Sequence, residues 1–193
     1  MIASIRGRLE SLYSDCAIIN VNGVGFKVYM PTSVLSRLGT IGEEVSLHTH
    51  LQIRDDDVML YGFSTVDELT LFQTLTSVSG FGPRLALSVL SAMSVDQVSM
   101  AIVTGSVDLL TTIPGIGKKT ASRMILELKE KIGAGFIATP AAELARENSD
   151  VLAALTSLGY SLNEASRAVA TLPTSSDLSL EEKIKLALQY FGG

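Results

Sequence analysis

A short glycine-containing pattern occurs twice near the middle of this 193-residue chain. The first copy covers residues 78–86 with the sequence VSGFGPRLA, and the second covers residues 113–121 with the sequence IPGIGKKTA. Both copies contain an apolar residue, a Gly-x-Gly, a basic residue two places after the second glycine, and an alanine. Glycine and proline interrupt helices, whereas the flanking residues have helical signals. Each copy therefore predicts a helix, a tight hairpin and a second helix.

Such a hairpin is suited to holding an anion. Glycine permits positive φ and close approach to the backbone, and the start of the next helix presents N–H groups and the positive end of its dipole. One copy alone is equally typical of a simple turn between helices, but two in tandem favour a clamp on a nucleic-acid backbone, read through its phosphates. The residues predicted to bind DNA are Gly80, Gly82, Arg84, Gly115, Gly117, Lys118, Lys119 and Arg123.

The second copy also imitates the end of a nucleotide-binding P-loop. That motif requires glycine five positions before Gly117 and Ser or Thr directly after Gly-Lys. Thr112 and Lys119 occupy those two positions. We therefore expect no ATP binding at this hairpin.

The net charge of −5 is unusual for a protein that binds nucleic acid, so its distribution along the chain matters. Residues 64–135 carry six positive and six negative side chains, whereas residues 1–63 carry five and seven and residues 136–193 carry four and seven. Four of the six positive charges in the middle segment lie on the hairpins or just after them. We expect a small basic footprint and salt-sensitive binding.

Two simple features bear on the compartment. The single cysteine, Cys16, excludes an intrachain disulfide, suits a reducing cytosol and is expected to be an inert core residue. No apolar run approaches the roughly 20 residues that span a bilayer. We expect a cytoplasmic protein.

Residues 1–63 have the pattern of a small β-domain. Alternation of apolar and polar residues predicts about five strands, and Asn22-Gly23 is a strong signal for a two-residue hairpin. Residues 31–38 predict a short helical turn. Five strands in some sixty residues fit a barrel of the OB type.

Two groups in this β-domain could begin a metal site. His48 and His50 share one strand face, but no further ligand at suitable spacing completes a site, and we expect neither a metal nor a cofactor. Asp55-Asp56-Asp57 lies between Ile53 and Val58, where a hairpin turns. A solvated turn explains this cluster, and a nuclease site there would need further carboxylates.

The rest of the chain is predicted to be helical. Residues 64–135 form one helical segment, and residues 149–193 form a compact unit of three helices that is acidic and lacks a hairpin. Residues 136–148 have no strong apolar period and predict a flexible linker. Gly105 and Gly159 are predicted helix stops. Four capping boxes mark helix starts: Thr65 with Glu68, Ser94 with Gln97, Ser161 with Glu164, and Ser179 with Glu182.

The paired hairpins resemble the helix-hairpin-helix motifs of DNA-binding proteins, and essentially the whole chain resembles the RuvA family of Holliday-junction-binding subunits. The second resemblance also rests on Met1-Ile2, residues 60–63 (LYGF) and residues 158–160 (LGY). It implies an α+β multidomain fold: an OB barrel over 1–63, a tandem helix-hairpin-helix domain over 64–135, a flexible linker over 136–148 and a UBA-like three-helix bundle over 149–193.

The resemblance also implies a function. A homotetramer, or two paired tetramers, would bind a four-way DNA junction during recombination, DNA repair and the SOS response to DNA damage. Asp55 and Asp56 would form an acidic pin at the centre, where carboxylates repel the phosphates of continuous duplex, and Asp57 is an additional acid. The three-helix unit would recruit a RuvB-type AAA+ ATPase, with Leu158 and Tyr160 as contacts or, equally, as core residues. A junction resolvase is a further implied partner, and the chain itself would catalyse nothing.

Two alternatives belong to other classes. A glycosylase or nuclease could use the same hairpins as anchors, but glycosylases of that kind place an Asp shortly after the hairpin. Residues 120–135 contain no Asp, only Glu127 and Glu130. A protein-interaction adaptor would use the hairpins as simple turns. DNA binding would then be absent both in the original chain and after Lys118 and Lys119 are replaced with Ala.

Overall fold

Five strands near the N-terminus close into a barrel. The computed structural model describes residues 1–54, 57–133, 148–173 and 178–191. The strand order around the barrel is β1-β2-β3-β5-β4, with antiparallel neighbours except β3 and β5, which pair in parallel where the barrel closes. The predicted five-stranded barrel is confirmed. The strands are β1 (Ser4–Leu12), β2 (Cys16–Val21), β3 (Val24–Tyr29), β4 (Glu44–Arg54) and β5 (Asp57–Phe63), with a short helix α1 (Thr32–Leu35) between β3 and β4.

Local sequence explains the barrel. Asn22 and Gly23 have φ values of 51° and 91°, as the two-residue turn between β2 and β3 requires. The Gly23 N–H donates to Asn20 Oδ1 at 2.8 Å. Inward-facing residues such as Leu9 and Ile19 are fully buried. Cys16 is buried as predicted, and burial, followed by a hydrogen bond with Asp15, raises the pKa of its thiol, so the thiol stays protonated at neutral pH.

Eight helices follow in the described residues. All four predicted capping boxes are present, each with the Ser or Thr oxygen accepting from the third helical N–H and the Glu or Gln side chain accepting from the cap N–H. Gly105 and Gly159 follow helix ends with φ values of 71° and 98°, as predicted. The helices are α2 (Val66–Thr76), α3 (Pro83–Ala92), α4 (Val95–Val103), α5 (Val107–Thr111), α6 (Lys118–Gly133), α7 (Ser149–Ser157), α8 (Leu162–Ala170) and α9 (Leu180–Gln189).

Strand β5 joins the barrel to the helices. Leu60 is buried in the barrel core, whereas Tyr61 and Phe63 belong to the helical core. The ring of Phe72, on α2, lies 5.0 Å from Tyr61 and 4.9 Å from Phe63, measured between ring centroids. Successive side chains of a strand point to opposite faces, so this one strand has a core on each side. The barrel and the helices that follow it are packed directly against each other.

The two histidines of β4 do not form a metal site with other described residues, since no group of three His, Cys, Asp or Glu side chains comes together there. The His50 ring packs against Tyr61 and Phe72, and its Nδ1 lies 3.4 Å from Gln73 Nε2. Burial lowers the pKa of His50. Among the described helices, none alone has the length and apolar composition to span a membrane. Helices α3 and α4 meet both requirements only when they are taken together, and the angle between them is 103°.

Candidate nucleic-acid interface

The first hairpin connects α2 to α3. Gly80 has a φ of 78°, which favours glycine, and the Phe81 N–H donates to the Val78 carbonyl at 3.0 Å. The Phe81 side chain is buried and anchors the hairpin. Gly82 is the N-cap of α3, and Pro83 follows at the first helical position. The N–H groups of Gly80, Gly82, Arg84 and Leu85 make no hydrogen bond to another described residue.

The second hairpin, between α5 and α6, repeats this backbone. Gly115 has a φ of 88°, the Ile116 N–H donates to the Ile113 carbonyl at 3.1 Å, and the Ile116 side chain is buried. The Ala121 N–H donates to the Gly117 carbonyl at 2.9 Å, as the Ala86 N–H does to Gly82. The predicted tandem helix-hairpin-helix is confirmed. Here the N–H groups without an acceptor in the described chain belong to Gly115, Gly117, Lys118, Lys119 and Thr120.

Each hairpin is packed against the helix that follows the other hairpin. Lys119 and Arg123, at the start of α6, line a cavity of about 240 Å³ with Ser79 and Gly80 of the first hairpin. Conversely, a Cβ on Gly115 would come within 3.0 Å of Leu85 Cδ2, on α3. From the sequence alone, each cation was expected to serve the hairpin that precedes it along the chain. In the structure, Lys119 and Arg123 lie at the first hairpin.

Arg84 lies in a second depression. It lines a groove of about 740 Å³ with Pro114 of the second hairpin and with Met59 and Tyr61 of β5. The four predicted cations, Arg84, Lys118, Lys119 and Arg123, are all exposed. The structure therefore gathers the eight predicted DNA-binding residues around two interlocked hairpins, with strand β5 at one border.

Two polar contacts connect α6 to the first hairpin. Arg123 Nη1 donates to the Ser79 carbonyl at 3.2 Å, and the Ser79 N–H donates to Glu127 Oε2, also at 3.2 Å. Sequence reasoning assigned no binding role to Glu127 or Ser79. The spacing of four between Arg123 and Glu127 places both on one helix face, but nothing local in the sequence identifies their partner.

The acidic-pin residues Asp55 and Asp56 lie outside the described residues. Strands β4 and β5 pair as far as Arg54 and Asp57, the positions on either side. Ile53 and Val58 pair one step earlier and are exposed. Because Met59 lines the same groove as Arg84, the described base of this hairpin lies beside the candidate interface.

The structure distinguishes the two residues proposed to contact a partner protein. Leu158 follows α7 and is 60% exposed. Tyr160 is partly buried, and its ring stacks on Phe191 with a centroid distance of 4.1 Å and an interplanar angle of 15°. Leu158 is therefore accessible to a partner, whereas Tyr160 contributes largely to packing within the C-terminal helices.

Comparison with protein families gives three matches in order along the chain. The family described as RuvA N terminal domain matches residues 1–62. The SAM-like Helix-hairpin-helix tandem matches residues 72–130, and RuvA, C-terminal domain matches residues 147–191. These matches cover the barrel, both hairpins and the three C-terminal helices.

Curated relatives align along their whole lengths. The Holliday junction branch migration complex subunit RuvA of Dehalococcoides mccartyi (strain CBDB1) is 51% identical over 191 residues, covering 99% of this chain and 98% of the relative. The proteins of the same name from Chloroflexus aggregans and Herpetosiphon aurantiacus are 47% and 43% identical over 196 residues. Both alignments cover 100% of this chain, and they cover 99% and 100% of the respective relatives. With its domains in the family order and relatives matched end to end, the chain belongs to the RuvA family.

Proposed function

We propose that this chain binds four-way junction DNA as the non-catalytic subunit of a Holliday junction branch migration complex. The observation that carries this proposal is the pair of hairpins with one backbone geometry, each presenting free N–H groups beside exposed cations. Donors of this kind recognise phosphate and ignore base identity. ATP hydrolysis belongs to the partner, a RuvB-type ATPase. We do not retain the glycosylase, nuclease and adaptor alternatives for a member of the RuvA family.

The eight predicted residues have two different roles at the interface. Gly80, Gly82, Gly115 and Gly117 leave the backbone open to a phosphate oxygen, while the basic side chains add charge. Each hydrogen bond to a charged group contributes about 1.5–3 kcal/mol. In a homotetramer, four copies would present eight hairpins, two for each arm of an opened junction. Asp55 and Asp56 would stand near the centre and repel duplex that runs across it.

The remaining parts of the proposal concern organisation. Residues 1–63 and 64–135 would form the DNA-binding body, and residues 136–148 would tether the helices of 149–193, which recruit the ATPase. Leu158 is the favoured contact because it is exposed. The chain would act in the cytoplasm, where its DNA substrate is found.

A gel-shift titration tests the central claim. A synthetic four-way junction is compared with linear duplex of the same sequence, at low and near-physiological salt, with EDTA and without nucleotide. We expect a clear preference for the junction that persists at moderate salt. Equal binding to both DNAs would reduce the protein to a general backbone clamp, and binding to neither would remove the DNA function.

Variants of equal charge change make the test specific. Lys118→Ala with Lys119→Ala should weaken binding and reduce the slope of log affinity against log salt by about 0.9 for each phosphate that the variant no longer neutralises. Lys183→Ala with Lys185→Ala removes the same charge from α9 and is the control. Equal effects of the two pairs would assign the weaker binding to net charge and not to the hairpins.

A further inference from the structure

Glu127 places a carboxylate beside the first hairpin, where a DNA phosphate is expected. Like charges at such a site oppose binding, so charge alone argues against an acid there. The side chain is partly buried and accepts the Ser79 N–H at 3.2 Å. Because its charge is unfavourable there, the presence of Glu127 at this position is best explained by its contact with the backbone.

This contact is one of two hydrogen bonds, from Glu127 and from Arg123, that hold the backbone of Ser79 and that we call the grip. Glu127 holds the Ser79 N–H, while Arg123 holds the Ser79 carbonyl. The described peptide bonds are all trans, and in a planar trans peptide the N–H points opposite to the C=O. Fixing the Ser79 carbonyl therefore aims the Gly80 N–H away from α6. Because Gly80 is exposed and its N–H has no acceptor in the described residues, this donor is open to a ligand.

The grip also links the two hairpins. Arg123 and Glu127 lie on α6, the helix whose first residues supply the free N–H groups of the second hairpin. Lys119 and Glu127 are eight residues apart, or about 12 Å along a helix that rises 1.5 Å per residue. One rigid element thus carries the donors of the second hairpin and holds the backbone of the first. The distance between the two phosphate sites depends on this connection.

The second hairpin shows why only the first needs such a grip. Pro114 occupies the position that Ser79 has in the first copy. Proline fixes its own φ and has no N–H to satisfy, so the second hairpin is restrained by its covalent structure. On α3, Ser88 and Ala92 occupy the positions that correspond to Arg123 and Glu127, and neither can form the same pair of contacts.

We propose that Glu127 is a positioning residue for junction binding: with Arg123 it fixes Ser79, and thereby sets the direction of the Gly80 N–H and the spacing of the two phosphate sites. This inference rests on the proposed function. Glu127 does not touch DNA. By positioning the Gly80 N–H, Glu127 strengthens junction binding more than its negative charge weakens it by repelling the phosphate.

Two substitutions at one position separate geometry from charge. Glu127→Gln keeps a side-chain oxygen that accepts the Ser79 N–H and removes the charge, so junction affinity should stay within about threefold of the original or increase. Glu127→Ala removes both and should weaken junction binding about tenfold. If the Ala variant binds as tightly as the Gln variant, the positioning role is wrong.

Ser79→Pro supplies an independent check. It copies the second hairpin and removes the N–H that Glu127 accepts, so Glu127→Ala should have little further effect in the Ser79→Pro background. An undiminished tenfold effect there would overturn the proposal. This cycle remains informative if Glu127→Ala alone lowers the melting temperature.

Amide NMR spectra add a readout that general destabilisation would not produce. In Glu127→Ala the Gly80 and Gly82 signals should shift, whereas those of Gly115 and Gly117 should not; unchanged Gly80 and Gly82 signals would contradict the grip. The original chain is titrated in parallel. Its failure to bind the junction would sink the proposed function, whereas normal binding with undiminished affinity in Glu127→Ala would sink only the positioning role.

Discussion

Gly82→Asp should stabilise the protein while weakening its binding to DNA. Gly82 is the N-cap of α3 and has no side chain to satisfy the helix start. Its φ of −83° and ψ of 169° suit any residue, and a Cβ there would meet no atom within 4 Å. An Asp carboxylate can accept the N–H of Arg84 or Leu85 and interact favourably with the helix dipole. We expect the free energy of unfolding to rise by about 0.5–1 kcal/mol.

The same donors are the ones proposed to hold a phosphate. A carboxylate at residue 82 would occupy them and place a negative charge in the site. Losing one hydrogen bond to a charged group, about 1.5–3 kcal/mol, corresponds to a decrease in junction affinity of about 10- to 150-fold. Urea denaturation measures the stability, and junction titration at several salt concentrations measures the affinity.

Gly82→Asn is the matched control, because Asn caps as well as Asp and carries no charge. Junction affinity should fall from Gly to Asn to Asp, while stability rises from Gly to Asn or Asp. The reasoning is refuted if Gly82→Asp binds the junction as tightly as the original chain. It is equally refuted if Gly82→Asp unfolds at lower urea, since α3 would then not begin at an unfilled cap.

Two further predictions concern stability. Gly80→Ala must hold a side chain at a φ of 78° and should lower the free energy of unfolding by about 1–2 kcal/mol. Gly117→Ala is the control and should change the free energy of unfolding little, because its Cβ would meet nothing within 4 Å. Equal urea midpoints for the two variants would contradict this prediction. Because burial lowers the pKa of His50 from its usual 6.5, the unfolded chain binds the proton more readily, so stability should decrease as pH falls through and below about 6.5. His50→Gln should flatten that dependence in urea denaturation between pH 5 and 7.5, with His48→Gln as the comparison, and an unchanged slope would assign the effect to other groups.

Most of the fold could be predicted because its signals are local. Asn22-Gly23 specifies a turn through its own backbone preferences, and each capping box is complete within four residues. The hairpins were recognisable for the same reason, since Gly80 and Gly115 require a backbone that few other residues adopt.

The arrangement within the site could not be predicted in this way. Arg123 and Glu127 lie 44 and 48 residues from Ser79 along the chain, and only the packing of α6 against the first hairpin brings them together. Chain order assigned Lys119 and Arg123 to the second hairpin because they follow it. In a tandem repeat, the helix that follows one hairpin can pack against the other hairpin. The order of residues along the chain does not reveal which hairpin a helix contacts.

Strand β5 has a consequence for how this protein can be divided. Two different families match the barrel, residues 1–62, and the helical tandem, residues 72–130. Tyr61 and Phe63 lie at the end of the barrel but are buried by the helices. An isolated barrel would expose both rings to water and tend to aggregate. Because these two barrel residues belong to the core of the helices, we expect the barrel and the hairpins to melt in one cooperative transition.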